Sequence, residues 1–270
     1  MSSKRKKEEH QRPAQRDAEH VRRILLHLAY DGTNYNGYQS QTNAVGIQDI
    51  LEKAIRDLFG GDVRTIGASR TDTGVHARDN LVVFDCDAKM LPGKIALALN
   101  ARLPDDIRVM ESMEVPGNFH PRHCDSVKTY SYRIMNRRVP DPLWQRYALH
   151  YYYPLDESKM AAAASYLVGT HDFASFCSSG FSGKSTVRTI YRSEVTREGD
   201  LITYTVSGSG FLYNMVRIIT GTLILAGSGQ MAPEEMMRIL EARDRSAAGD
   251  TAPPKGLTLE KIEIPELGIF

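Results

Sequence analysis

The sequence predicts a mixed α/β (α+β) protein: two related lobes with a mixed or antiparallel central sheet flanked by helices. Three observations carry this expectation. Short apolar runs closed by turn residues recur from residue 23 onward, with helically spaced runs between them. The order strand, helix, strand, strand occurs about once in each half. Strands that follow one another directly pair antiparallel or in a mixed sheet, whereas a doubly wound parallel sheet needs a helix at each crossover.

The elements follow in order. Residues 23–30 (RILLHLAY) read as a buried strand closed by Asp31-Gly32. Apolar residues at 47, 50, 51, 54, 55, 58 and 59 form a helical stripe that ends at Gly60-Gly61. Residues 63–68 make a short strand running into the polar segment 69–74, and 80–86 (NLVVFDC) make another. Proline in the first turn opens a helix over 92–102, and strands follow over 107–115 and 128–135. The second half has a strand over 147–153 and a helix over 156–168 stopped by Gly169. A hairpin spans 186–197 and 201–207, helices span 214–226 and 233–243, and a strand over 257–264 closes the chain. The expected division is a disordered charged tail (1–22), an N-terminal lobe (23–115) and a C-terminal lobe (116–270). No linker-like segment separates the lobes, so one continuous sheet is expected across a soft boundary.

Hydrophobic content of 41% and charged content of 25% are ordinary for a soluble globular chain. No stretch approaches the ~18 apolar residues of a membrane span, and the polar N-terminus lacks the core of a secretory signal. Cys86, Cys124 and Cys177 are scattered, which fits reduced thiols in a cytosolic protein. The net charge of +1 hides an uneven distribution: residues 1–23 hold eight Lys/Arg and four Asp/Glu. Subtracting these from 34 and 33 leaves 26 basic and 29 acidic residues, so any nucleic-acid surface must be a local patch.

Several short motifs mimic known sites. Gly183-Lys184-Ser185 ends like a phosphate-binding loop, but Ser178 stands where the pattern needs glycine and a strand follows where a helix is required. Ser207-Gly-Ser-Gly-Phe211 lacks the third glycine of a dinucleotide fingerprint, because Tyr213 occupies that position. His120, His123 and Cys124 crowd together without a fourth suitably spaced metal ligand. Asp72-Thr73-Gly74 is the tripeptide of aspartic proteases, yet the nearest second copy, Asp250-Thr251-Ala252, lacks the glycine. Arg70, two residues before Asp72, also opposes the raised carboxyl pKa that a proton-sharing pair depends on. Alone, the tripeptide favours an aspartate capping its own turn.

The longer segment Gly67-Ala-Ser-Arg-Thr-Asp-Thr-Gly-Val-His-Ala77 closely resembles G-x-x-R-T-D-x-G-V-H-A of the TruA family of pseudouridine synthases. Further likenesses follow in the family's order over nearly the whole chain from residue 23. Tyr30-Asp-Gly-Thr-Asn-Tyr-Asn-Gly-Tyr-Gln39 resembles the opening Y-D-G-T-x-[FY]-x-G-[WY]-Q, and Gln48, Leu51 and Glu52 the helix after it. Phe119-His-Pro-Arg122 is similar to F-H-x-R, and Lys128-Thr-Tyr-Ser-Tyr132 to [KR]-x-Y-x-Y. Phe211-Leu-Tyr-Asn-Met-Val-Arg217 is similar to F-L-x-x-M-V-R, and Gly256-Leu-Thr-Leu259 to G-L-x-L. Ser69 and Thr73 depart from the glycine and alanine of many members, and neither departure touches the catalytic residue type.

The resemblance implies the pseudouridine synthase fold and isomerisation of uridine at positions thirty-eight, thirty-nine or forty of the tRNA anticodon stem-loop. It further implies a cytoplasmic homodimer that needs no cofactor or metal. Asp72 takes the place of the catalytic aspartate, and Arg217 that of the arginine paired with it, whose planar fork can hold a carboxylate with two hydrogen bonds. Arg70 corresponds to the arginine that fills the space left by the flipped base. Tyr130 and Leu257 correspond to the walls of the base pocket, with the Tyr130 hydroxyl a candidate to help move the C5 proton. Lys128, Arg133, Arg137 and Arg138 cluster around one strand and its turn as a candidate RNA-backbone patch, and Lys128 is taken as substrate-binding. Two rival readings are a tRNA-binding protein without catalysis, which would not need Asp72, and an aspartic protease.

Overall fold

The first strand begins at Arg22, inside the segment expected as tail, because its guanidinium bonds Glu114 Oε2 at 2.6 Å across the sheet. The computed structural model describes residues 21–87, 89–181 and 183–270; the basic run 4–7 and the rest of the tail to residue 20 lie outside them. The elements in chain order are β1 (Arg22–Tyr30), α1 (Ile47–Phe59), β2 (Ile66–Gly67), β3 (His76–Cys86), α2 (Pro92–Asn100), β4 (Ile107–Val115) and β5 (Val127–Asn136). They continue as β6 (Leu149–Tyr151), α3 (Glu157–Ser165), β7 (Gly169–Asp172), β8 (Val187–Glu198), β9 (Leu201–Gly208), α4 (Met215–Gly227), α5 (Glu235–Ala242) and β10 (Leu257–Glu263).

All ten strands join one mixed sheet in the order β4-β1-β3-β10-β5-β9-β8-β7, with β2 beside β3 and β6 beside β5. This is the mixed α/β class expected from the order of elements. Two local differences have plain causes. The polar start His76-Ala-Arg-Asp79 of β3 carries no apolar run, and its pairing with β1 and β10 extends the strand back from residue 80 to His76. The four residues of β7 (GTHD) are too short and polar to show a period of two.

The last strand occupies the middle of the sheet. β10 runs parallel to β3, with Leu259 opposite Ala77, and antiparallel to β5, with Leu259 opposite Tyr130. Leu257, Thr258 and Leu259 are all buried, as expected of a strand covered on both faces. One C-terminal segment thereby brings the first hundred residues beside the strands of the second half.

Helix α4 (MVRIITGTLILAG) is apolar nearly all round and packs against α3 and β5. Gly221 in its middle lets the chain at Gly249–Asp250 lie directly on the helix, where a Cβ would sit 1.8 Å from Asp250 O. The Gly249 N–H donates to Thr222 Oγ1 at 2.9 Å, and the Ala252 N–H to Arg217 O at 3.1 Å. Ala at a helix interior gains about 1 kcal/mol over Gly, but overpacking against backbone costs about 1–3 kcal/mol or more. Backbone at 1.8 Å cannot yield as a side chain does. Gly221→Ala is expected to lower the urea midpoint; an unchanged or raised midpoint would show that the contact is loose.

Candidate functional site

A cleft of about 850 Å³ opens at the sheet centre, where β3, β10 and β5 lie side by side. Its floor is the loop between β2 and β3, residues 68–75, which carries Arg70 and Asp72. Tyr130 and Lys128 reach in from β5, Leu257 from the first residue of β10, and residues 209–216 from the turn into α4.

The loop is clamped from both sides. Its backbone lies against residues 32–38: the Tyr38 N–H donates to Thr71 O at 3.0 Å and the Gly74 N–H to Tyr35 O at 3.3 Å. Gly37 takes φ +83°, and a Cβ there would meet Thr71 O at 2.6 Å, so glycine answers both the backbone angle and the close approach. Beneath the loop, fully buried Asn80 accepts from the Ser69 N–H at 3.2 Å and donates to Ser69 O at 3.0 Å. The Tyr30 hydroxyl then bonds Thr71 Oγ1 at 2.7 Å. Asp72 therefore stands on a backbone with little freedom.

Arg217, in the first turn of α4, approaches Asp72 with 3.7 Å between Nη1 and Oδ2. The paired hydrogen bonds expected from sequence are absent from this contact, which is an ion pair beyond hydrogen-bond length. The guanidinium is committed elsewhere: Nε donates to Ala252 O at 2.7 Å and Nη1 to Asn214 Oδ1 at 2.7 Å. Asn214 adopts left-handed backbone at φ 61°, a conformation asparagine tolerates better than most residues. Burial pushes the Asp72 carboxyl above the ordinary carboxylate range, and the Arg217 charge opposes this without cancelling it.

Tyr130 is buried at the cleft wall, its ring meeting the edge of Phe211 at 5.1 Å between centroids. Its hydroxyl hydrogen-bonds Ser69 Oγ at 2.8 Å, and burial raises its pKa to about 12. Ser69, read from sequence as a departure that leaves the catalytic residue type untouched, thus holds the tyrosine hydroxyl. Arg70 is exposed and makes no hydrogen bond or ion pair with any described residue.

The basic patch expected around β5 divides. Lys128 turns into the cleft and donates to Ala68 O at 2.8 Å, with its pKa lowered by burial to about 8. Arg133 pairs with Glu260 at 2.7 Å, and Arg137 and Arg138 lie past the far end of the strand. Nine residues of strand separate Lys128 from Arg137, about 30 Å. The cations of this one strand therefore do not cluster at one place.

Sequence reasoning missed Asn80, Asn214 and Arg188. Asn80 left a faint signal, an amide at the head of the apolar run NLVVFDC. Arg188, which lines the cleft from β8, left none. Asp72 is the single acid lining the cleft among the described residues, and its near charge is Arg217. A proton-sharing pair of carboxylates needs the opposite environment. Asp250 instead packs its backbone on Gly221. The rings of His120 and His123 stack at 4.0 Å, and Cys124 is half-buried at the cleft wall.

Known proteins resemble this chain over most of its length. The family profile described as tRNA pseudouridine synthase matches residues 26–123 and 163–265. Among curated relatives, tRNA pseudouridine synthase A of Thermoanaerobacter sp. (strain X514) is 47% identical over 90% of this chain and 99% of its own. The protein of the same name from Acetivibrio thermocellus is 45% identical over 90% and 99%, and that from Halalkalibacterium halodurans is 44% identical over 88% and 90%.

Proposed function

The chain belongs to the family of tRNA pseudouridine synthases, isomerases that convert uridine to pseudouridine in tRNA, and from that premise we propose that Asp72 drives this reaction in the cleft. The observation that carries the assignment is a single carboxylate, half-buried beside a fixed arginine, on a clamped loop at the cleft floor. The uridine N1–C1′ bond breaks, the base turns within the pocket, and C5 bonds to C1′ while the C5 hydrogen leaves as a proton and N1 gains one. Atoms and electrons balance without an oxidant or a carried group. Asp72 serves in its ionised form by one of two routes, attack at C1′ or removal of a sugar proton.

Arg70 takes the space vacated by the extruded nucleotide; its exposure and lack of partners leave the guanidinium available for this. Tyr130 and Leu257 form the walls around the base, and Lys128 contacts the RNA backbone. Stacking of a base on an aromatic ring is worth ~1–3 kcal/mol, comparable to the cost of unstacking one base. The Tyr130 hydroxyl, with a pKa of about 12, stays protonated at neutral pH and is held by its bond to Ser69.

The substrate uridines are those at positions thirty-eight, thirty-nine and forty of the anticodon arm, and the active unit is a cytoplasmic homodimer. Val139, Leu143, Tyr152 and Tyr153, between 50% and 84% exposed, support an interface. Light scattering is expected to return twice the chain mass; a monomer at assay concentration would remove the dimer.

Anticodon stem-loop RNAs with tritium at C5 of a single uridine, one for each position, test the reaction directly. The protein is expected to release tritium, and Asp72→Ala to release none while staying folded. Surviving release in Asp72→Ala would leave the chain a synthase whose catalytic group lies elsewhere.

The acid limb of kcat/KM tests the ion pair. Activity needs ionised Asp72, so it is present above the folded-state pKa and lost as pH falls through it. Burial raises that pKa, so the limb should lie above the ~3.9 of a free aspartate. Arg217→Met removes the opposing charge and should move the limb further up, with severely reduced turnover. A limb that stays in place would detach Arg217 from the Asp72 charge.

A further inference from the structure

Four cations line the cleft, Arg70, Arg122, Lys128 and Arg188, and none forms an ion pair with any described residue. Three of the four are held in place by backbone carbonyls. Arg122 Nε donates to Gly67 O at 2.7 Å and Lys128 Nζ to the next carbonyl, Ala68 O, at 2.8 Å. Arg188 Nη1 donates to Val187 O at 2.6 Å and Ser185 O at 2.9 Å, and its guanidinium carbon lies 5.9 Å from the centroid of the Phe181 ring.

These bonds orient the cations without neutralising them. Arg122 spends one of its five N–H donors and Lys128 one of its three. The three charges also act on one another: Arg122 and Arg188 both lower the proton affinity of Lys128, after burial as the main cause. Gathering like charges where water is partly withdrawn is unfavourable for the empty protein. Oriented donors, surplus positive charge and no ion-pair partner among the described residues are the features of a preformed anion site.

Its position identifies the anion. Gly67 and Ala68 lead directly into the loop that carries Asp72. Lys128 lies two residues before Tyr130 on β5, on the same face and about 7 Å away. One nucleotide spans that distance.

We propose that Arg122, Lys128 and Arg188 form a fixed site for one backbone phosphodiester next to the target uridine, which sets the register of the strand so that the extruded nucleotide meets Asp72. The inference rests on the reading of the cleft as a tRNA site. It gives these three residues a positioning role separate from that of Arg70, which no backbone carbonyl of a described residue holds.

The test uses full-length protein with Asp72→Ala, which binds without turnover, and anticodon stem-loop RNAs read by fluorescence anisotropy. Each RNA carries one uncharged methylphosphonate on a 2′-deoxy residue within two nucleotides of the target, compared with a control holding the 2′-deoxy residue alone. Neutralising one particular linkage should weaken binding about tenfold or more, the worth of a charge-assisted contact. Lys128→Met and, separately, Arg188→Gln should cost a similar factor and lower the slope of log Kd against log salt by about one. Combined with the neutral linkage, each should add almost nothing, whereas Lys128→Arg should keep most of the affinity. Losses that multiply at every linkage, or no sensitive linkage at all, would overturn the site. Inorganic phosphate displaced by these substitutions, with no linkage coupled to them, would also overturn it in favour of a free-anion site. Failure of the Asp72→Ala protein to bind any of the RNAs would refute the tRNA reading itself.

Discussion

Keeping a charge on Asp72 where the fold partly withholds water constrains much of the molecule around it. An unpaired carboxylate at such a site costs several kcal/mol, and an arginine beside it offsets part of that cost. At 3.7 Å the contact gives attraction beyond ordinary hydrogen-bond length, and burial keeps the carboxyl's proton affinity raised against it. A bidentate pair would hold the charge more firmly and make it less reactive. The compromise depends on Arg217 being held by others. Ala252 and Asn214 supply that restraint. Ala252 in turn reaches Arg217 because Gly221 lets the chain at 249–250 lie on the helix.

The loop beneath Asp72 follows the same logic of restraint. Tyr38, Tyr35, Asn80 and Tyr30 satisfy or brace its backbone and side chains from two directions. For the role proposed for Asp72, such preorganisation matters because a displacement of 1 Å at a reacting group can cost about 10²-fold in rate. Restraint at the floor contrasts with Arg70 beside it, which bonds no described residue. In the proposed reaction, Asp72 holds its place while Arg70 follows the RNA.

Much of this was legible in the order of residues. Apolar runs and helical stripes identified most elements, since side-chain periodicity is a local property. Asp72 and Arg70 stood out in a single segment, whereas Tyr130, Leu257 and Arg217 gained meaning only as members of an ordered set of motifs. The bond that Ser69 makes was invisible in sequence because its partner, the Tyr130 hydroxyl, lies 61 residues away. The basic patch around β5 was misjudged for a different reason: neighbours in sequence on an extended strand point apart and spread over about 30 Å.

Residue types and their spacing thus specified the class of fold, the motifs and the identity of the chemical groups. Folding alone decided that β10 would lie between β3 and β5, placing Leu257 opposite Tyr132 and Leu259 opposite Tyr130. It also decided that Arg122, Lys128 and Arg188 would converge on one cleft while Arg133 turned to Glu260. Strand pairing, ion-pair partners and desolvation are set by atoms distant along the chain, and no local pattern encodes which of several available partners a side chain will meet.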